Sequence, residues 1–250
     1  MVSAAGMLAL NPDTHAGGLT GEAIDASRYD GQSDDPLEVA GKLHAMMPSS
    51  VRVLDVGCGT GSVTLIANRD RNNDVVAIEP DAERAAIARS RGLIVHNGIL
   101  NDTFMAGHER FDVVMSSDVL EHTPAPAEFL GAMIRAAKPG GLILLSVPNV
   151  AHWTVRLNLL VGRFDYQAVG IMDATHLRWF TEKSLKALLD HQHLTMLEMS
   201  QTAGFTLPIY VGGRARHIPG TLRNAVIKAG TKALPLLFGC QHVVKARTPA

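Results

Sequence analysis

Short, mostly apolar runs alternate with helical patterns through the middle of this 250-residue chain. The runs at residues 51–56 and 142–147 are rich in Val, Leu and Ile at neighbouring positions, which is typical of strands buried on both faces. Residues 62–68 and other segments between the runs have helical spacing. The alternation predicts an α/β fold with a doubly wound, mostly parallel sheet covered by helices. The predicted strands are residues 51–56, 75–78, 93–96, 111–116, 142–147, 195–199 and 242–246.

Both the N-terminal end and two internal segments depart from this alternation. Residues 1–33 are rich in Gly, Asp, Ser and Thr without periodicity, which predicts a flexible N-terminal arm. Residues 34–250 are predicted to form one domain, whose first helix begins at Asp34-Asp35-Pro36. Long insertions at about 148–180 and 203–240 are expected to form a lid over a ligand site.

The composition of the chain bears on whether the protein spans a membrane and on its redox compartment. No apolar stretch approaches the roughly 20 residues that a membrane span needs. The two cysteines, Cys58 and Cys240, lie far apart in the chain, so a reducing cytoplasmic setting without disulfides is expected.

The net charge of −1 is unevenly distributed. Residues 1–50 hold seven acids against two cations, whereas no acid follows Glu198 and seven cations do. This basic tail, interleaved with apolar residues, suggests an acceptor that is phosphorylated or lipid-linked, or peripheral contact with an anionic membrane. An ordinary solvated face is the alternative, and no motif suggests nucleic acid as a partner. The cations are Arg214, Arg216, Arg223, Lys228, Lys232, Lys245 and Arg247.

The first predicted strand leads directly into Gly57-x-Gly59-x-Gly61, a loop that a ligand can approach closely. A dinucleotide-binding loop would need glycine where Ser62 stands. Asp55 would also repel a pyrophosphate, although it suits a cationic ligand. Glu79, which ends the second strand, is placed to accept both hydroxyls of a ribose. The loop therefore favours a positively charged nucleoside cofactor over a dinucleotide.

Several segments closely resemble motifs of class I S-adenosylmethionine-dependent methyltransferases. They are residues 53–61 (VLDVGCGTG), 78–80 (IEP), 111–114 (FDVV), 119–122 (VLEH) and 142–149 (LILLSVPN). The resemblance covers about residues 35–200. It implies a Rossmann-like, seven-stranded sheet with an antiparallel last strand, and S-adenosylmethionine as the cofactor, with S-adenosylhomocysteine as its product. The cofactor-binding residues that follow are Asp55, Gly57, Cys58, Gly59, Gly61, Glu79, Pro80, Asn97, Gly98, Asp118 and His122.

One position departs from that family. Many relatives place an Asp after the third strand to bind the adenine amine, but this chain has Asn97-Gly98. Adenine is therefore expected to be held by Asn97 or by the backbone.

The acceptor is less constrained than the cofactor. Residues 149–153 (NVAHW) and 173–181 (DATHLRWFT) resemble a branch found beside glycan and lipopolysaccharide genes. Residues 118–122 are similar to ubiquinone-type O-methyltransferases, with Asp118 where those enzymes have Glu. We therefore expect O-methylation of a sugar or glycan precursor. The alternatives are a small phenolic or quinone-type metabolite, and a non-catalytic cofactor-binding subunit.

Methyl transfer to a hydroxyl requires alignment of the acceptor and removal of its proton, a task suited to histidine. His152 and His176 flank the strand ends and are the candidate bases, with Asp173 three residues before His176 to orient it. Either histidine could instead be a hydrogen-bonded residue that shapes the lid.

A metal site is a further possibility. Asp118, Glu121 and His122 share one face of a helix by spacing and could hold Mg²⁺. Otherwise Asp118 and His122 are expected to border the methionine end of the cofactor.

Overall fold

The computed structural model describes residues 28–250, apart from the side chains of residues 213 and 214. Its centre is one seven-stranded sheet with the order β3-β2-β1-β4-β5-β7-β6. The strands are β1 Arg52–Val56, β2 Asp74–Glu79, β3 Ile94–Asn97, β4 Phe111–Ser117, β5 Ala137–Pro148, β6 Thr195–Gln201 and β7 Gln241–Arg247. Strands β1 to β5 pair in parallel, and β7 runs antiparallel to both of its neighbours. The predicted doubly wound fold with an antiparallel last strand is confirmed.

Helices cover both faces of this sheet. They are α1 Val39–Met46, α2 Ser62–Asn68, α3 Ala82–Ser90, α4 Asp102–Ala106, α5 Pro126–Ala136, α6 Trp153–Leu160, α7 Glu182–His191, α8 Pro208–Val211, α9 Gly220–Ala233 and α10 Pro235–Phe238. Short 3₁₀ helices span Leu120–His122 and Gly213–His217.

Successive residues of the central strands enter different apolar clusters. Leu54 and Val114 pack into one cluster, whereas Val53 and Val113 pack into the other. Because strand side chains alternate between faces, a strand covered on both faces is apolar on neighbouring positions and not only on alternate ones. The largely apolar runs in the sequence follow from this burial.

Helix boundaries follow local capping. The Asp81 carboxylate accepts hydrogen bonds from the amides of Glu83 and Arg84, so α3 begins where the acid predicts. Thr181 and Ser184 form a reciprocal capping box at the start of α7.

The predicted start of the first helix at Asp34 is wrong by several residues. Asp35 accepts hydrogen bonds from the amides of Leu37 and Glu38, at its carboxylate and its carbonyl respectively. These bonds form a turn, and the helix begins only at Val39. Acidic residues before a proline favour turns and caps alike, so the pattern located the boundary only approximately.

The strand order places a crevice at the carboxyl ends of β1 and β4. The chain moves outward through β2 and β3 on one side of β1 and through β4 and β5 on the other. The loops that follow β1 and β4 therefore diverge, which creates the usual ligand crevice of such sheets.

The two insertions contact each other beyond the end of β5. The Trp153 indole N–H donates to the Tyr210 hydroxyl at 3.0 Å, and the Asn149 side-chain amide donates to the Gly239 carbonyl at 2.8 Å. That these insertions act as a lid stays a prediction. Residues 1–27 of the predicted arm lie outside the described residues, and residues 28–30 contact the domain.

Within residues 28–250, no helix is both long and apolar enough to cross a bilayer. Of the basic tail, Arg216, Lys228 and Lys232 are exposed, and α9 also exposes Leu222 and Val226. Contact of this tail with a membrane surface or with a phosphorylated or lipid-linked acceptor stays a prediction.

Candidate active site

The backbone N–H groups of the glycine loop after β1 donate hydrogen bonds to acceptors within the protein. The amides of Gly57 and Cys58 both donate to the Ile78 carbonyl, at 2.8 and 3.1 Å. The Gly59 amide donates to Glu79 Oε2 at 2.8 Å, and the Gly61 amide donates to the Cys58 carbonyl at 2.9 Å. A loop that binds phosphate needs backbone amides without other acceptors, so this loop does not suit a pyrophosphate.

Two of the loop glycines have a left-handed backbone, which other residues rarely adopt. Gly57 has φ 81°, and a Cβ there would lie 2.6 Å from Val119 Cγ2. Gly59 has φ 56°, and the space that its Cβ would enter holds no atom of the described residues within 4 Å. The loop is thus packed at its base and open at its tip, where a ligand can approach the backbone.

Asp55 and Glu79 place two buried carboxyl groups at the crevice. Asp55 Oδ2 accepts from the Thr64 hydroxyl at 2.6 Å, whereas Oδ1 has no partner among the described residues. Burial, together with the nearby Glu79, raises the pKa of Asp55 to about 7 against the Thr64 hydrogen bond. A cationic ligand beside these acids would favour their ionised forms.

Glu79 is tied to the backbone on both of its carboxylate oxygens. Oε2 accepts from Gly59 and Oε1 accepts from the Asp81 amide at 2.9 Å. Each oxygen retains a second lone pair that a ribose hydroxyl can use. The predicted role of Glu79 is compatible with this geometry.

The predicted adenine side is formed by the ends of β2 and β3. The Asn97 side-chain amide donates to the carbonyls of Glu79 and Pro80, at 2.8 and 3.0 Å. The Gly98 amide also donates to the Glu79 carbonyl, at 3.1 Å. Asn97 therefore fixes the strand ends, and its role toward adenine stays a prediction.

Asp118 follows β4 on the other side of the crevice, with a left-handed backbone at φ 54°. Its carboxylate accepts from the Gln241 side-chain amide at 2.7 Å and from the Ser117 hydroxyl at 3.2 Å. Burial raises the pKa of Asp118 despite these bonds.

Glu121, His122 and His176 come together behind Asp118, with their nearest ligand atoms all within 4.8 Å of one another. Both carboxylate oxygens of Glu121 are buried and lack a hydrogen-bond partner among the described residues. Burial and the nearby Asp118 raise the pKa of Glu121 well above its usual range. Burial, with His122 beside it, lowers the pKa of His176 to about 4. In each case burial favours the uncharged form of the group.

This group differs from the predicted magnesium ligands. Asp118 lies outside it, and His176 takes its place. One carboxylate and two imidazoles form a set typical of transition metals, whereas Mg²⁺ prefers oxygen ligands and retained waters. The residues present do not fit Mg²⁺.

Asp173 does not orient His176 through its side chain. Its carboxylate accepts from Tyr29 at 2.5 Å, from the Thr175 hydroxyl at 2.7 Å and from Arg28 at 3.1 Å. Burial alone would raise the pKa of Asp173, but the hydrogen bonds from Tyr29 and Thr175 lower it. The link to His176 is a backbone bond from its amide to the Asp173 carbonyl.

Thr175 connects Asp173 to His122 instead. His122 Nδ1 lies 3.1 Å from the Thr175 carbonyl and 3.2 Å from its hydroxyl. Because the carbonyl can only accept, Nδ1 carries the proton and Nε2 of the neutral ring keeps its lone pair. Sequence spacing alone gave no signal for Thr175, nor for the contacts of Arg28 and Tyr29.

His152 is fully buried between the two insertions. Its Nδ1 lies 2.8 Å from the Thr154 hydroxyl, and its Nε2 lies 3.2 Å from the Tyr210 hydroxyl. Burial lowers the pKa of His152 to about 4. Both ring nitrogens have partners, which favours a structural role, whereas a catalytic role stays a prediction.

Comparison with known proteins identifies the family of this chain. Residues 30–199 match the family described as "Methyltransferase domain". Among curated proteins, the ubiquinone biosynthesis O-methyltransferase of Rhodopseudomonas palustris (strain BisB18) is 28% identical over 160 residues, covering 62% of this chain and 61% of the relative. The protein of the same name from Bradyrhizobium sp. (strain ORS 278) is 30% identical over 158 residues, covering 61% of each. The matches thus span about three fifths of these relatives.

Solved structures share the fold. An S-adenosylmethionine-dependent methyltransferase from Archaeoglobus fulgidus aligns with a TM-score of 0.56 at 17% identity, covering 84% of this chain and 93% of the other. The [4+2]-cyclase SpnF aligns with a TM-score of 0.54 at 20% identity, covering 84% and 80%.

The family match covers more than half of the chain, so this protein belongs to the methyltransferase-domain family. The methyltransferase family that the sequence predicted is thereby confirmed.

Replacing Glu79 with Gln is expected to weaken binding of S-adenosylhomocysteine roughly 10-fold or more, because one charge-assisted ribose bond is lost. Isothermal titration calorimetry measures this change. Glu109→Gln, an exposed acid near β4, is the matched control and should stay within about twofold. An unchanged dissociation constant in folded Glu79→Gln would contradict the ribose role.

Proposed function

We propose that this enzyme transfers the methyl group of S-adenosylmethionine to a hydroxyl group of a small phenolic or quinone-type metabolite. The relatives named above are ubiquinone biosynthesis O-methyltransferases, which supports this alternative. A sugar or glycan acceptor, the main expectation from the sequence, finds no support among them.

The observation that carries the proposal is the imidazole of His122 at the carboxyl end of β4. Its Nε2 lone pair is available because Nδ1 is held by Thr175. His122 is half-buried, whereas His176 and His152 are buried and have lowered pKa values. We therefore assign the role of proton acceptor to His122, which is the one of these three histidines that is not buried.

The acidity of the acceptor hydroxyl distinguishes a phenol from a sugar as the methyl acceptor. In methyl transfer an acceptor oxygen forms a bond to the methyl carbon while the carbon–sulfur bond breaks, and the hydroxyl proton passes to a base. A phenolic hydroxyl has a pKa of about 10, as in tyrosine. A sugar hydroxyl is an alcohol with a pKa nearer that of water, which is roughly 15.7, so imidazole removes its proton less readily. An imidazole base therefore suits a phenol.

Asp173 and Thr175 would hold His122 in the tautomer that the reaction needs. Glu121 is buried beside it, and this burial raises the pKa of its carboxyl group, which favours the uncharged form. Since the donor set does not suit Mg²⁺, no step is assigned to that ion.

Transfer of tritiated methyl from S-adenosylmethionine is expected to label a catechol and a simple phenol. A monosaccharide and a lipid-linked sugar, assayed in parallel, should stay unlabelled. Label found only in the sugars would contradict the proposed acceptor class.

His122→Gln is expected to lower kcat roughly 10²–10⁴-fold toward a labelled phenol, the usual contribution of a general base. The dissociation constant of S-adenosylhomocysteine should stay within about twofold. His191→Gln, an exposed histidine at the end of α7, is the control. A large loss in His176→Gln or His152→Gln with normal turnover in His122→Gln would place the base elsewhere.

Full turnover is expected in excess EDTA, and added Mg²⁺ should not raise it. The assay is methyl transfer to the phenol after dialysis against the chelator. Activity that disappears in EDTA and returns with Mg²⁺ would show that the ion is required.

A further inference from the structure

Residues 28–30 contact two separate parts of the domain, and one end of the segment is fixed at the glycine loop. The Asp30 carboxylate accepts hydrogen bonds from the hydroxyls of Thr60 at 2.6 Å and Ser62 at 2.5 Å. Arg91, at the end of α3, binds both oxygens of the same carboxylate at 2.6 Å. The hydrogen bonds from Arg91, Ser62 and Thr60 lower the pKa of Asp30, so the carboxylate stays ionised there.

The other end is fixed at the insertion after β5. The Tyr29 hydroxyl donates to Asp173 Oδ2 at 2.5 Å and accepts from the Gly170 amide at 3.1 Å. Arg28 lies 3.1 Å from the same carboxylate oxygen and donates to the Thr175 hydroxyl at 3.2 Å. Asp173 is buried, so its charge depends on these partners.

These two ends lie on opposite sides of the crevice. Thr60 belongs to the loop after β1, whereas Thr175 contacts His122, which follows β4. Strands β1 and β4 are neighbours at the point where the order of the sheet reverses. Three consecutive residues thus join the cofactor loop to the acceptor side, across the position where ligands bind in this fold.

We propose that residues 28–30 are a strap that closes over the cofactor crevice, with Asp173 as its latch. Closing the strap fixes Asp173 and, through Thr175, sets the ring of His122. Cofactor retention and the orientation of the acceptor side are then coupled through one hydrogen-bonded chain. The cofactor part of this inference stands on the methyltransferase family alone, and the His122 part rests on the proposed function.

A plain tether would produce the same contacts but a different response to substitution. A tether that only anchors the N-terminal segment changes thermal stability and leaves ligand exchange unaltered. A strap controls how fast the cofactor leaves, because the bonds of Tyr29 and Asp30 must break before it departs. The dissociation rate therefore separates the two roles.

The test compares Tyr29→Phe and Asp30→Asn with Asp34→Asn in the full-length protein. Asp34 forms an exposed ion pair with Arg69 at 2.9 Å in the same segment, so it is a matched control outside the strap. Bound radiolabelled S-adenosylhomocysteine is chased with unlabelled cofactor. Tyr29→Phe and Asp30→Asn are expected to release label roughly 5- to 30-fold faster than the wild type, and Asp34→Asn within about twofold of it.

Thr175→Val tests the link to His122 separately. It keeps the carboxylate of Asp173 for Tyr29 and the carbonyl of residue 175 for His122, but it removes the hydroxyl that links Asp173 to His122 and that accepts from Arg28. We expect the release rate to stay within about threefold of the wild type while kcat with a phenol falls at least 10-fold, with recovery in Thr175→Ser. Normal kcat in Thr175→Val would overturn the coupling to His122.

The melting temperature of each variant is measured as well. Wild-type release rates in both Tyr29→Phe and Asp30→Asn would overturn the strap, whether or not the melting temperature falls. Because the release assay needs no acceptor, a failure of the phenolic proposal leaves the strap testable, and a failure of the strap leaves the acceptor assay unaffected.

Discussion

The site depends on where the amides of the glycine loop find their acceptors. Ile78 and Glu79, consecutive residues at the end of β2, take three of those N–H groups on a carbonyl and a carboxylate. This pairing fixes the loop against β2 and leaves it few free donors for an anion. It also places a second acid near Asp55, whose pKa is raised to about 7 mainly by burial. Two buried acids close together favour a cationic ligand over an anionic one, and a sulfonium cofactor meets that condition.

The sheet was predictable from the sequence because each of its central strands is buried on both faces. Val53 and Leu54 point to different clusters, so both must be apolar, and that requirement leaves a clear pattern. Helix starts were predictable where a side chain caps the backbone, as Asp81 does for α3. The start of α1 was not, because Asp35 accepts backbone amides in a turn as readily as at a cap.

The site was predictable on the side of the cofactor loop and much less so beyond β4. Asp55, Gly57 and Glu79 occupy consecutive strand ends, which parallel strands bring to one edge. The contacts of Asp173 are different in kind. Tyr29 lies 144 residues away from it in the chain, and side-chain hydrogen bonds between loops leave no periodic mark in a sequence. The spacing of Asp173 and His176 suggested a side-chain contact, but a backbone turn between them directs the carboxylate to Thr175 instead.

The fold alone does not fix the reaction, since a [4+2]-cyclase shares it. The chemistry must come from the charges that face the reacting atoms. On the cofactor side, Asp55 and Glu79 suit the positive charge of the sulfonium. On the acceptor side, burial raises the pKa of Glu121 and lowers that of His176, which favours the uncharged form of each group. Methyl transfer removes the charge from sulfur as the new bond forms, and a desolvated acceptor side opposes that loss less than water would. Acids beside the cofactor, together with buried groups beside the acceptor that favour their uncharged forms, therefore suit transfer of a methyl group from a cation.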